Sequence, residues 1–404
     1  MRHRLIVMWV GLLAVLCWIA SPTIYAGETI TDLRLSHANN RFGFKLYAQL
    51  LKEQPSQNVF ISPSSIAMAL AMLYNGASGE TQQAMSKAME LQGMTLEEVN
   101  QSNAQLKSFL ENADPKVALI IANSLWGREG IAFKQEFFRI CTESYGAEVK
   151  SLDFMSPMAP DIINSWVSRS TRGKIQQIIG DVRDSVLMLI NAVYFKGEWS
   201  KQFDKASTHD GPFHLLDGRV TQSPMMMQSG DYEYFKGDQF QAIRLAYGQG
   251  RFGMYIFLPN QNSSLEAFNR SLDERTWEIW KAQFQVEGGS VTLPRFRLVY
   301  EAHLKDSLAA LGMGPAFDSS RANFERIQAP PSGLYINEVK YKTFLEVNEE
   351  GTEAAAATAI GLDLGATHLP KEFSIVVDRP FFCVIVDELT ESILFMGSVV
   401  EPQQ

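Results

Sequence analysis

From residue 185 onward the chain is a succession of long apolar segments: "VLMLINAVYFKGEW", "FQAIRLAY", "FGMYIFLP", "SVTLPRFRLVY" and "LYINEVKYKTFLEV". Each is apolar at odd and even positions alike. A strand of that kind needs cover on both faces, so these segments demand large sheets packed between other layers. The chain ends in two apolar runs around a polar turn, "PFFCVIVDELTESILFMGSVVEP", which predicts a hairpin. Helical stretches fall near 263–284 and 302–312. Upstream, residues 28–145 read as mainly helical, interrupted by strand character at 117–127; 161–175 is helical again. "SPSSIAMALAMLYNG" is a clear unit, with Ser62 placed to cap a helix that begins at Pro63 and ends at Asn75-Gly76. No linker-like tract and no repeat divides the chain. It reads as a signal segment, 1–26, followed by one large α+β domain, 27–404.

The signal segment comes from the first residues. "MRHR" is basic, "LIVMWVGLLAVLCWIA" is apolar, and "SPTIYA" is polar, the layout of a secretory signal peptide cleaved after Ala26. An uncleaved anchor is the alternative, although the apolar run is short for a span. Cleavage predicts a secreted protein, extracellular or periplasmic. It also removes Arg2 and Arg4 and no acid, moving the formal charge from −9 to −11. An acidic surface does not favour nucleic acid or an anionic membrane. Cys141 and Cys383 each sit inside an apolar segment and read as buried core thiols. The histidines are scattered and CxxC and HExxH are absent, so neither a metal nor a cofactor is expected.

A hydrolase reading finds little support. There is no GxSxG elbow. "ASTHD" brings Ser207, His209 and Asp210 together in sequence, but triad members are gathered by folding rather than adjacency, and a polar loop explains the segment.

The informative stretch is "EEGTEAAAATAIGLDLG", residues 349–365. Taken with a period of two, the even positions are Thr352, Ala354, Ala356, Thr358, Ile360, Leu362 and Leu364, all small or apolar. Both charges, Glu353 and Asp363, fall on the odd face. As a helix those acids would lie about 280° apart and the apolar positions would form no stripe. As a strand the segment has one buriable face. Yet alanine and glycine are poor strand formers, and "DLGATHLPKE" continues as a loop. The reading is a loop able to become a central strand, with Gly351 giving a permissive backbone at the pivot.

The chain resembles a serpin over residues 30–402. "FLEVNEEGTEAAAAT" is similar to the family's hinge, "NVFISPSSIAMALAMLYNGASGET" to its second helix, "LMLINAVYFKGEW" to the third strand of its main sheet, and the C-terminal segment to its closing signature. The resemblance implies three β-sheets, eight or nine helices, a metastable fold, and a hinge and reactive-centre loop at 349–370. It implies an inhibitor rather than an enzyme: a monomer that traps a target serine protease as a covalent acyl-enzyme after its loop is cut.

The same resemblance implies roles for individual residues. Glu349, Glu350, Gly351, Thr352 and Glu353 match the hinge, followed by Ala354, Ala355, Ala356, Ala357 and Thr358. Family spacing from Gly351 puts the cut bond at Gly365–Ala366, or makes Leu364 the primary residue if the bond shifts by one. Trp199 and Glu349, with Arg295 as its basic partner, match the breach where the loop meets the sheet. Ser62, Pro63, Ser65 and Asn191 match the shutter. Tyr341 departs from the pattern, since many serpins have histidine there, and puts the Asn191 contact in doubt. Gly365 offers no side chain to a primary pocket, which favours an elastase-like or subtilisin-like target. A papain-like cysteine protease, or a non-inhibitory carrier or chaperone role, is the alternative. The fourth-helix region has no basic cluster for a polyanion.

Overall fold

In chain order the elements are α1 (Arg34–Glu53), β1 (Val59–Ile61), α2 (Pro63–Gly76), α3 (Gly79–Ala88), α4 (Leu96–Glu111), β2 (Val117–Arg128), α5 (Gln135–Tyr145), β3 (Glu148–Leu152), α6 (Ala159–Ser170) and β4 (Leu187–Glu198). Then come β5 (His209–His214), β6 (Val220–Lys236), β7 (Phe240–Tyr247), β8 (Phe252–Pro259), α7 (Leu265–Ser271), α8 (Glu274–Lys281), β9 (Gln285–Pro294) and β10 (Phe296–His303). The chain closes with α9 (Lys305–Leu308), α10 (Gly314–Phe317), β11 (Glu338–Val347), β12 (Gly351–Thr352), β13 (Phe373–Val376), β14 (Phe381–Asp387) and β15 (Ser392–Val399). This computed structural model describes residues 32–111, 113–330, 333–352 and 373–403. The signal segment and positions 353–372 lie outside them.

One sheet has six strands in the order β10-β11-β12-β4-β2-β3. The other runs β1-β15-β14-β8-β7-β6-β9-β13, with β5 on β6. The long β6 joins two blocks within it. It pairs with β9 over Met225–Tyr234 but with β7 only over Glu233–Lys236. Together with the six-stranded sheet this makes the three sheets expected. Among the described residues, eight α-helices have seven residues or more.

The two-sided apolar pattern has a direct structural counterpart in β4. Leu187, Leu189, Val193 and Phe195 point into the main core. Met188, Ile190, Ala192 and Tyr194 point the other way, against Ile163 and Val167 of α6. Covering both faces explains why no alternation was visible there. Helix α2 is buried along its whole length beneath the six-stranded sheet. It begins at Pro63 as expected, but the Ser62 side chain makes no capping bond; the Ser62 N–H is taken instead by the Tyr341 hydroxyl, 2.7 Å away. Cys141 and Cys383 are buried and free, and burial pushes the Cys141 thiol up to about 12.

Candidate functional site

The seam between β11 and β4 is where the chain's unusual segment meets the sheet. From Glu338↔Met188 to Phe344↔Tyr194 these strands pair directly and in parallel. Beyond Phe344 they part. Into the opening comes β12, antiparallel to both, with Thr352 opposite Val347 on one side and Gly197 on the other. The pivot Gly351 and the first residue of the period-two segment, Thr352, are therefore already sheet.

A tight turn aims them there. The Asn348 side-chain oxygen accepts the N–H groups of Glu350 (3.0 Å) and Gly351 (3.2 Å), and the Asn348 N–H donates to the Gly351 carbonyl at 2.8 Å. An asparagine that bonds its own backbone two residues on is a turn former. Gly351 has φ +144°, and a Cβ there would sit 2.1 Å from the Gly197 carbonyl oxygen. No other residue fits without moving β4.

Trp199 and Tyr247 hold the turn from the side. Their rings stack at 4.2 Å, and the Trp199 indole N–H donates to the Asn348 carbonyl at 2.9 Å. The backbone N–H of Trp199 donates to Glu350 and that of Phe203 to Glu349. Thr352 is wholly buried, its hydroxyl 2.8 Å from that of Tyr247.

Glu349 is 2 % exposed, and its carboxylate accepts from Arg295 and, at 2.7 Å, from the Thr208 hydroxyl. Burial alone would raise its pKa, but these two bonds outweigh burial and hold the carboxyl below the usual glutamate range. Glu350 pairs with the exposed Lys205, a contact of little energetic weight.

Lower in the seam, Tyr341 and Asn191 are direct cross-strand neighbours, yet they do not bond each other. The Asn191 amide N–H2 donates to Ser65 Oγ at 2.7 Å and to Asn123 Oδ1 at 2.6 Å. Its Oδ1 has no partner among the described residues. The phenol passes the asparagine and reaches the Ser62 backbone, so the doubt about this contact resolves against an Asn191–Tyr341 bond. Pro63 starts α2 directly behind.

The structure thus gathers Trp199, Arg295, Glu349, Glu350, Gly351 and Thr352 at one end of the seam and Ser62, Ser65, Asn191 and Tyr341 midway along it. Glu353, Ala354 to Ala357, Thr358, Leu364, Gly365 and Ala366 lie outside the described residues. Four residues at the site were not anticipated: Tyr247, Thr208, Asn348 and Asn123. Asn348 carried a turn signal, three residues before a glycine. Thr208 sat in the loop set aside with Ser207 and His209. Among the described residues, no group of three or more His, Cys, Asp or Glu could hold a metal, and no helix is long and apolar enough to cross a membrane.

The family model described as Serpin (serine protease inhibitor) matches residues 37–402. A leukocyte elastase inhibitor of Sus scrofa is 35% identical over 382 residues, 91% of this chain and 100% of the relative. A serpin-like protein of Thermococcus kodakarensis is 36% identical, over 91% of this chain and 85% of its own length. Among solved structures, the thermophilic serpin tengpin in its native state superposes with a TM-score of 0.84 at 28% identity, covering 93% of this chain and 95% of tengpin. Human thyroxine-binding globulin, solved with its hormone, reaches 0.85 at 28% identity over 92% of this chain and 100% of the globulin.

Proposed function

The chain belongs to the serpin family, and we propose that it is a secreted suicide-substrate inhibitor of serine proteases, with residues 353–372 as bait and β12 as the starting point of their insertion. A protease attacks Gly365–Ala366, forms an acyl-enzyme, and is carried along as the freed loop extends β12 down the seam. The small residues around that bond point to an elastase-like or subtilisin-like target. Residues 1–26 direct export and are removed after Ala26.

The observation that carries this reading is the partial insertion at Gly351–Thr352, with β4 and β11 rejoined below it. Extending the two registers by steps of two brings Ala354 between Phe195 and Leu345, Ala356 between Val193 and Thr343, and Thr358 between Asn191 and Tyr341. The even face would then lie with the odd residues of β4, on the wholly buried side. This supplies a physical reason for alanines: the space between two paired strands over a packed helix admits small side chains without clashes. Ile360, Leu362 and Leu364 follow, each gaining about 1.5–3 kcal/mol on full burial. Hinge residues that were bulky, charged or proline would favour the carrier role; positions 351–358 have one charge, Glu353, on the odd face.

The test is incubation of the protein with a panel of serine and papain-like proteases, followed by denaturing electrophoresis. An SDS-stable adduct with an elastase-like or subtilisin-like enzyme is expected. Cleavage by every enzyme without an adduct would exclude the inhibitory reading.

A further inference from the structure

Val117, Gly197, Thr352 and Val347 stand in one row across the six-stranded sheet, each opposite the next. The period-two segment enters at this row, and Tyr247 reaches it from the other sheet to meet the Thr352 hydroxyl. Tyr247 is the last residue of β7, so the turn that follows, Gly248 to Arg251, sets where its ring lies. Gly248 donates its N–H to the Glu198 carbonyl and accepts from the Ser200 hydroxyl, both at 2.8 Å, which ties the turn to the end of β4. A second tie comes from outside the site already described. Asp114, in the loop that leads into β2, is 5 % exposed. One of its carboxylate oxygens accepts the Lys116 N–H at 2.8 Å, a local turn at the start of β2. The other accepts the Gln249 N–H at 2.7 Å, from 135 positions away. The carboxylate lies against Gly248, where a Cβ would overlap it, and glycine (φ +52°) leaves it the space. Bonds from backbone N–H groups to an ionised carboxylate are roughly twice as strong as neutral ones.

We infer that Asp114 is a positioning residue for the hinge. It fixes the β7–β8 turn against the start of β2, and the turn fixes Tyr247 opposite Thr352. The carboxylate thereby connects two ends of the same row: Val117 donates its N–H to the Asp114 carbonyl at 3.1 Å, and Tyr247 precedes Gln249 by two residues. The far half of the turn is held separately, the Gly250 carbonyl by Arg244 and Arg251 by Asp387. Removing the Asp114 carboxylate therefore loosens the half that carries Tyr247 and leaves the rest of the turn anchored. The consequence for trapping rests on the inhibitory reading above. If insertion starts from Gly351–Thr352, a hinge released from the row starts later after cleavage, and more acyl-enzyme is hydrolysed before the strand is complete.

Amide hydrogen exchange at residues 349–352 of the intact protein tests the positioning without any protease, so its outcome and that of the inhibition assay are independent. Asp114→Ala is expected to speed exchange there by about tenfold. Asp114→Asn keeps one acceptor oxygen and is expected to fall between Asp114→Ala and the wild type. Circular dichroism confirms that each variant is folded. Tyr247→Phe should also speed exchange, and the double variant Asp114→Ala/Tyr247→Phe should exchange no faster than the faster single variant, because the two residues act through one contact. A merely structural aspartate would give effects that multiply. Among molecules attacked by an elastase-like protease, the ratio of cleaved to trapped protein should rise in Asp114→Ala and rise no further in the double variant. Wild-type exchange at 349–352 in Asp114→Ala, or multiplying effects in the double variant, would overturn the assignment. A wild-type protein that traps no protease would instead overturn the inhibitory reading, with the exchange result still deciding this one.

Discussion

The hydroxyl of Thr352 sits 2.8 Å from that of Tyr247, and neither residue is exposed to any extent. The contact joins the last described residue of the hinge to a strand of the other sheet. It fixes which way the following residues must face if they continue into the seam. Thr352→Arg should therefore leave a folded, cleavable protein that no longer traps proteases. Thr352 is wholly buried, and an unpaired charge at a buried position is costly. The check is the yield of SDS-stable complex against the yield of cleaved inhibitor; an undiminished complex would rule out insertion at this residue.

Glu349 gives the hinge a pH dependence of definite sign. Its carboxyl is held below the ordinary value of 4.5 in the folded protein, so its contribution is complete above that value and fades as pH falls through the folded pKa. Glu349→Gln should lower stability at neutral pH and flatten the acid limb below about pH 4.5. Denaturant midpoints measured from pH 7 to pH 3 provide the comparison. Parallel curves for the two proteins would mean that the Arg295 and Thr208 bonds do not stabilise the ionised form.

Tyr341→Phe removes the acceptor of the Ser62 N–H at the start of α2. A buried donor left unpaired costs about 1–3 kcal/mol. The variant should unfold at correspondingly lower urea, whereas Asn191 should keep its bonds to Ser65 and Asn123. A loss under about 0.5 kcal/mol would mean that another acceptor replaces the phenol.

The features legible in the sequence were those with a local signal. Thr352, the first residue of the period-two segment, is strand as that pattern anticipated, and the start of α2 at Pro63 followed from its composition. The Glu349–Arg295 pair, implied by the resemblance, is formed. What sequence could not supply was contacts made across distance. Tyr247 reaches Thr352 from 105 positions away, and Thr208 reaches Glu349 from 141. Neither has a marker beyond being an apolar tyrosine and a loop threonine. Ser62 has the residue type of a cap and the position of one, but Tyr341, from a strand far downstream, takes over the helix start. A phenol in place of a histidine could be noted as a departure, while its target, the Ser62 backbone, depended on how far the ring reaches past Asn191.

Specificity should follow the residue before the cut bond. Gly365→Arg is expected to redirect inhibition toward trypsin-like enzymes and weaken it against the original class, because a glycine fills no primary pocket and an arginine fills an acidic one. Mass spectrometry of the C-terminal fragment released from the wild-type complex should give a first residue of Ala366. A fragment starting at Gly365 would make Leu364 the primary residue, and one starting beyond His368 would overturn the register.

The most direct measurement is thermal unfolding of the intact protein beside the same protein nicked within 360–366 by a non-target protease. If the seam between β4 and β11 accepts the loop, nicking frees residues 353–365 to complete the sheet, and the intact form is held only by its barrier to doing so. The cleaved protein is then predicted to unfold far above the intact one, by tens of degrees, at about 4 °C or less per kcal/mol gained for a chain of this size. Coincident unfolding of the two forms would contradict insertion.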